Sequence, residues 1–70
     1  MAQIYYSLQE LENKIKNNQI TMSDAEDEFA KIFDGCINNS DNRRCAIAFA
    51  QRVQNYDMEL YVRLKTYFET

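Results

Sequence analysis

The sequence predicts an all-α fold, a small bundle of three to four short helices in one domain spanning residues 1–70. Three observations carry that prediction. Apolar residues recur at steps of three and four, the period of a helix face, through most of the chain. There is no Pro and a single Gly in 70 residues, so little interrupts a helical run. Clusters of Asn, Ser, Thr and Asp fall between the periodic stretches, where caps and turns are needed. A hydrophobic fraction of 46% against 27% charged residues is that of a folded domain. At this length folding buries only about 60% of the surface the unfolded chain exposes, so stability must come from close helix packing, a staple or a partner.

The first helix is expected over 4–18, with Ile4, Leu8, Leu11 and Ile15 on one stripe. Ser7 with Glu10 also fits a capping box, which would start the regular helix there. Asn17 and Asn18 supply the stop, because Asn tolerates the left-handed conformation that ends helices. The second helix is expected over 22–34. Thr21 with Asp24, or Ser23 with Glu26, caps it, and Asp24, Glu26, Asp27 and Glu28 suit the positive end of its dipole. Met22, Ala25, Phe29, Ile32 and Phe33 share its inner face, and Gly35 is expected to close it with positive φ.

Beyond the polar turn at 38–42, Cys45, Phe49, Val53, Tyr56, Leu60, Leu64 and Tyr67 form one continuous stripe. It fits two helices, 41–55 and 57–69, with Asp57 as the second N-cap, or the same residues fused into one helix about 43 Å long. Ile47, Ala50, Met58, Tyr61 and Phe68 fall on the opposite side. A straight helix apolar on two faces needs two neighbours, which predicts a homodimer held through Ile47, Met58, Tyr61 and Phe68. A bent segment would bury both faces within one monomer.

Charge and chemistry restrict the function. The net charge of −3 has the wrong sign for a general nucleic-acid binder. Residues 1–35 hold seven acids and three bases (−4), residues 36–70 four acids and five bases (+1), so the first half is the expected partner-facing field. Within it Asp24, Asp27 and Asp34 project away from the apolar face and are expected to meet a basic partner, although dipole stabilisation alone accounts equally well for acids in a first helical turn. Adjacent Tyr5 and Tyr6 cannot both face inward on a helix, which makes them further partner-binding residues. Arg43, Arg44 and Arg52 are the material for nucleic-acid contact, but the apolar run from Cys45 to Ala50 behind the first two suits a buried helix better than a groove-reading one.

The chain has no His, hence neither the commonest general base nor the commonest metal ligand, and one Gly excludes a glycine-rich phosphate loop. Residues 26–35 look like the entering helix of an EF-hand. The loop that follows fails ligand by ligand, with Cys36 at the third position, Asn39 at the glycine position and Cys45 where the bidentate Glu belongs. No catalytic residue, cofactor or metal site is therefore expected. The first residues carry neither a basic segment nor an apolar run, which predicts a cytoplasmic protein without a membrane segment, with Cys36 and Cys45 reduced and buried. The leading expectation is a small non-enzymatic protein-binding module, an inhibitor or regulator of the phage and mobile-element kind that occupies the surface of a larger protein. A DNA- or RNA-associated transcriptional regulator and a structural oligomerisation module are the alternatives.

Overall fold

A computed structural model describes residues 2–69, which form four helices and no strand. They are α1 (Ala2–Lys16), α2 (Met22–Asp34), α3 (Ser40–Val53) and α4 (Met58–Lys65). α1 packs on α2 and α3, α4 packs on α2 and α3, and no contact joins α1 to α4 among the described residues. The result is a bundle in which the α1–α2 and α3–α4 pairings are the most extensive and are joined through a shared core by the α1–α3, α2–α4 and α2–α3 seams.

Leu8 and Leu11 of α1, Ala25 and Phe29 of α2, Ala46, Phe49, Ala50 and Val53 of α3, and Leu60 and Leu64 of α4 make that core. Phe29 is at its centre. Its ring stacks at 5.8 Å on Phe33 and 6.0 Å on Phe49, and meets Tyr67 edge-on at 6.1 Å. Burying a side chain of this size contributes roughly 1.5–3 kcal/mol, a large share of the stability of a chain this short.

The caps explain most boundaries. Thr21 accepts a hydrogen bond from the Asp24 amide at 3.1 Å and starts α2, in preference to Ser23. Asn39 does the same for the Asn42 amide at 3.1 Å, so α3 begins at Ser40. Asp57 accepts from the Leu60 amide at 3.1 Å and starts α4, which decides between the two readings of the C-terminal half. The fused alternative fails on length as well, since its ~43 Å exceeds the longest dimension of the molecule, 30 Å.

Other expectations need correction. α1 starts at Ala2, so Ser7 lies inside the helix and forms no N-terminal cap, and the helix ends at Lys16. Gly35 has φ −70° and continues the right-handed path into the turn at 35–38. The residue with positive φ is Asn18, at 56°. Cys45, Tyr56 and Tyr67 are exposed, and Ala46 and Ala50 take the core positions instead. The stripe across 45–67 holds at Phe49, Val53, Leu60 and Leu64, which are buried on both sides of the break, and fails at Cys45 and at Tyr56 and Tyr67 in the turns that follow α3 and α4. Ile47 is half-buried, Tyr61 and Phe68 pack half-buried against the core, with Phe68 6.3 Å from Phe33, and Met58 alone of the four stands exposed. The bend thus covers much of the apolar face from which a homodimer is expected and leaves Met58 in solvent.

Candidate protein-binding surface

Along the α1–α3 seam the helices are spaced by small side chains. Cys45 and Ala48 on α3 face Tyr5, Leu8 and Gln9 on α1 and leave a groove of about 300 Å³, closed at its far end by Glu12 and Arg52. Leu8 lies in the core beneath, so the groove has an apolar floor. Tyr5 and Tyr6 are 62% and 74% exposed, Tyr5 lining the groove and Tyr6 following it on the outer surface of α1.

The closed end is a polar clamp. Glu12 accepts from Arg52 Nη2 and from the Tyr56 hydroxyl, each at 3.3 Å, and lies 3.7 Å from Lys16 Nζ. That ammonium is itself 5.1 Å from the centre of the Tyr56 ring. Burial, the Glu12 charge and the hydrogen bond to it push the Tyr56 phenol up to about 12. The Glu12 side chain is only 15% exposed, whereas Arg52 and Lys16 are 52% and 54% exposed, so the clamp turns positive charge toward solvent.

The sequence-predicted site residues scatter. Asp24, Asp27 and Asp34 are exposed on α2, as expected, but they do not form an uninterrupted acidic field. Asp24 and Asp27 line a polar trough of about 620 Å³ together with Lys14 and Lys31, and Lys14 pairs with Glu28 at 3.7 Å. Asp34 lies further along, beside Ile37 and Tyr67. The arginines divide three ways. Arg43 lies over the Phe33 ring at 5.8 Å, Arg52 is held by Glu12, and Arg44 has neither an ion pair nor a ring contact among the described residues. Tyr5 and Arg52, predicted for different partners, come together in one groove.

Glu12, Cys45, Ala48 and Tyr56 were not foreseen as site residues. Glu12 had a signal: it sits on the edge of the Leu8–Leu11–Ile15 stripe, where a carboxylate is partly desolvated and requires donors. The two thiols are free, as expected, but only Cys36 is buried. Its Sγ donates to the Ile32 carbonyl at 3.0 Å, and burial raises its pKa. Cys45 is exposed, because α3 turns Ala46 inward in its place.

No family model, curated protein or solved structure matches the chain. Among the described residues there is no group of three or more Cys, Asp or Glu placed to hold a metal ion, and no helix long and apolar enough to cross a membrane.

Proposed function

We propose that the protein is a small protein-binding module that works by occupying the surface of a larger protein, with the α1–α3 face as its contact. One observation carries the reading. Tyr5, largely exposed, lines an apolar-floored groove of side-chain size, and exposed Tyr6 follows it on the outer surface of α1. Leaving aromatic rings of this size in water forfeits their burial energy, and Tyr at the edge of a pocket is a common binding anchor. Blocking or regulating the larger protein is the activity such a module would exert. Nucleic-acid binding is less favoured, because Arg43 and Arg52 are already engaged by Phe33 and Glu12 and do not combine with Arg44 into one basic surface.

The test is capture from a lysate of the source cells. Tyr5→Ser with Tyr6→Ser is expected to keep the helical circular dichroism of the parent and to lose the captured protein. Asp24→Asn, Asp27→Asn and Asp34→Asn together are expected to keep it. Capture that survives the tyrosine changes and disappears with the aspartate changes moves the contact to α2 and contradicts this reading.

A further inference from the structure

We infer that the surface at the C-terminal end of α2 pairs with a second copy of this chain about a two-fold axis, Ile37 of each copy seating in the groove of the other and Asp34 of each meeting Lys31 of the other. The pairing leaves the α1–α3 face open, since the two grooves share no residue.

The chain leaves α2 through Gly35, Cys36 and Ile37. Cys36 is buried and its Sγ donates to the Ile32 carbonyl at 3.0 Å, which pins the turn and directs the next side chain outward. Ile37 is accordingly 66% exposed, more than Met58 or Val62. Beside it Ala30, Phe33 and Tyr67 line a groove of about 410 Å³, with Lys31 and Asp34 also on its walls. An apolar knob and a recess that can hold it therefore lie on one patch. A two-fold interface needs that arrangement, because one surface must serve as both halves.

Charge complementarity names the occupant. The lining carries one acid and one base, Asp34 and Lys31, both exposed, and neither side chain has an ion pair or a hydrogen bond among the described residues. A partner segment of a single charge sign would gain at one and lose at the other. A second copy supplies a base for the acid and an acid for the base. With the axis between positions 31 and 34, antiparallel α2 helices set 31 opposite 34 and carry Ile37 toward residues 28–30 of the other copy. The same register sets Asp27 opposite Asn38, not opposite another acid. Of the remaining acids of α2, Glu26 is held by Arg63 and Tyr67, and Glu28 by Lys14. Asp24 stands at the far end of the helix, roughly 15 Å from Asp34 and beyond a screening length of about 8 Å. Six lining residues are few beside the roughly 20–30 a side of a standard interface, so the dimer is weak, with a dissociation constant on the order of 0.1–1 mM.

Sedimentation equilibrium of the purified chain from about 20 µM to about 1 mM tests the inference. The mass is expected to rise from 8.3 kDa toward twice that value and no further. Ile37→Glu is expected to weaken the association at least about tenfold. Lys31→Glu and Asp34→Lys should each weaken it at least about fivefold, the second even though it removes an acid from a chain of net charge −3. Lys31→Glu combined with Asp34→Lys exchanges the two signs and should restore the parent value to within about twofold. All four variants are expected to keep the helical circular dichroism of the parent, because the three side chains are exposed. If Lys31→Glu or Asp34→Lys unfolds the chain, Lys31→Gln and Asp34→Asn replace them and should each weaken the association about threefold. A mass that stays at 8.3 kDa throughout overturns the inference, as does growth beyond a dimer. Association that survives Ile37→Glu, is unchanged or strengthened by the single charge variants, or is not restored by the exchange also overturns it. The chain is alone in every measurement, so failure here leaves the lysate capture through Tyr5 and Tyr6 untouched.

Discussion

Two seams of the bundle, α1–α3 and α2–α4, use the same device and finish it differently. Arg52 of α3 and Tyr56, in the turn that follows α3, both donate to Glu12 of α1. Arg63 of α4 and Tyr67, in the turn that follows α4, both donate to Glu26 of α2, at 3.3 and 3.0 Å. Beside the second clamp rings pack inward, with Tyr67 edge-on to Phe29 and Phe68 tilted against Phe33, and a groove lined by Phe33, Asp34, Ile37 and Tyr67 opens beside them. Beside the first, Cys45 and Ala48 are too short to fill the space, and a groove floored by Leu8 remains. Aromatic residues tie one clamp to the core, and small residues leave the other at an open edge.

Breaking the filled seam should have the largest effect. Phe29→Ala removes the ring shared by Phe33, Phe49 and Tyr67, and such truncations cost about 3–5 kcal/mol, enough to unfold a domain this small. Loss of helical circular dichroism at room temperature is the expected result. Tyr5→Ser with Tyr6→Ser, at the open seam, should change the unfolding free energy by less than about 0.5 kcal/mol in a urea titration.

The clamps come next. Glu12→Gln is expected to cost about 1 kcal/mol, because two hydrogen-bond donors and the Lys16 ion pair lose a charged acceptor, and Glu26→Gln about half as much, with two donors. Equal losses would mean that the Lys16 contact adds nothing to the first clamp.

Alkaline pH should separate the clamps in another way. The Tyr56 phenol is raised from 10 to about 12 in the folded chain, so the unfolded chain loses its proton first. The stabilisation from keeping Tyr56 protonated is complete below pH 10 and is lost as pH rises toward 12. Tyr67 is shifted in the same direction, chiefly by its hydrogen bond to Glu26. Tyr56→Phe should therefore flatten the fall in Tm above pH 10. An unchanged slope would place the alkaline sensitivity elsewhere.

An effect of opposite sign is expected at the exit of α2. Gly35 has φ −70°, and a methyl group there would meet the Ile32 and Lys31 carbonyls at an ordinary 3.5 and 3.6 Å. Gly35→Ala should stabilise by about 0.4–1 kcal/mol through the unfolded chain. A loss would show that the turn toward Ile37 requires glycine.

How much of this could be read from the sequence depends on whether the signal was local. Thr21, Asn18 and Asp57 act within a few residues of themselves, and the α2 boundaries and the break before α4 follow from them. Gly35 was misread because its type permits positive φ without demanding it. The inward turn of Ala46 in place of Cys45 depends on where α1 and α4 lie, which no single helix encodes. The core of α2 was visible, since Ala25 and Phe29 are buried as their spacing implies. The candidate surface was only half visible. Tyr5 and Tyr6 stood out as an adjacent pair, but the groove beside them joins residues some forty positions apart, Leu8 with Ala48 and Glu12 with Arg52.

Site-specific photo-crosslinking tests most directly whether the open α1–α3 seam is the binding surface. A benzophenone side chain placed at Tyr5, which lines the groove, and, in a second protein, at Asp27 would be irradiated in source-cell lysate. The same covalent adduct with a larger protein is expected from position 5 and not from position 27. An adduct from position 27 alone would contradict the assignment and place the contact on the acidic surface of α2.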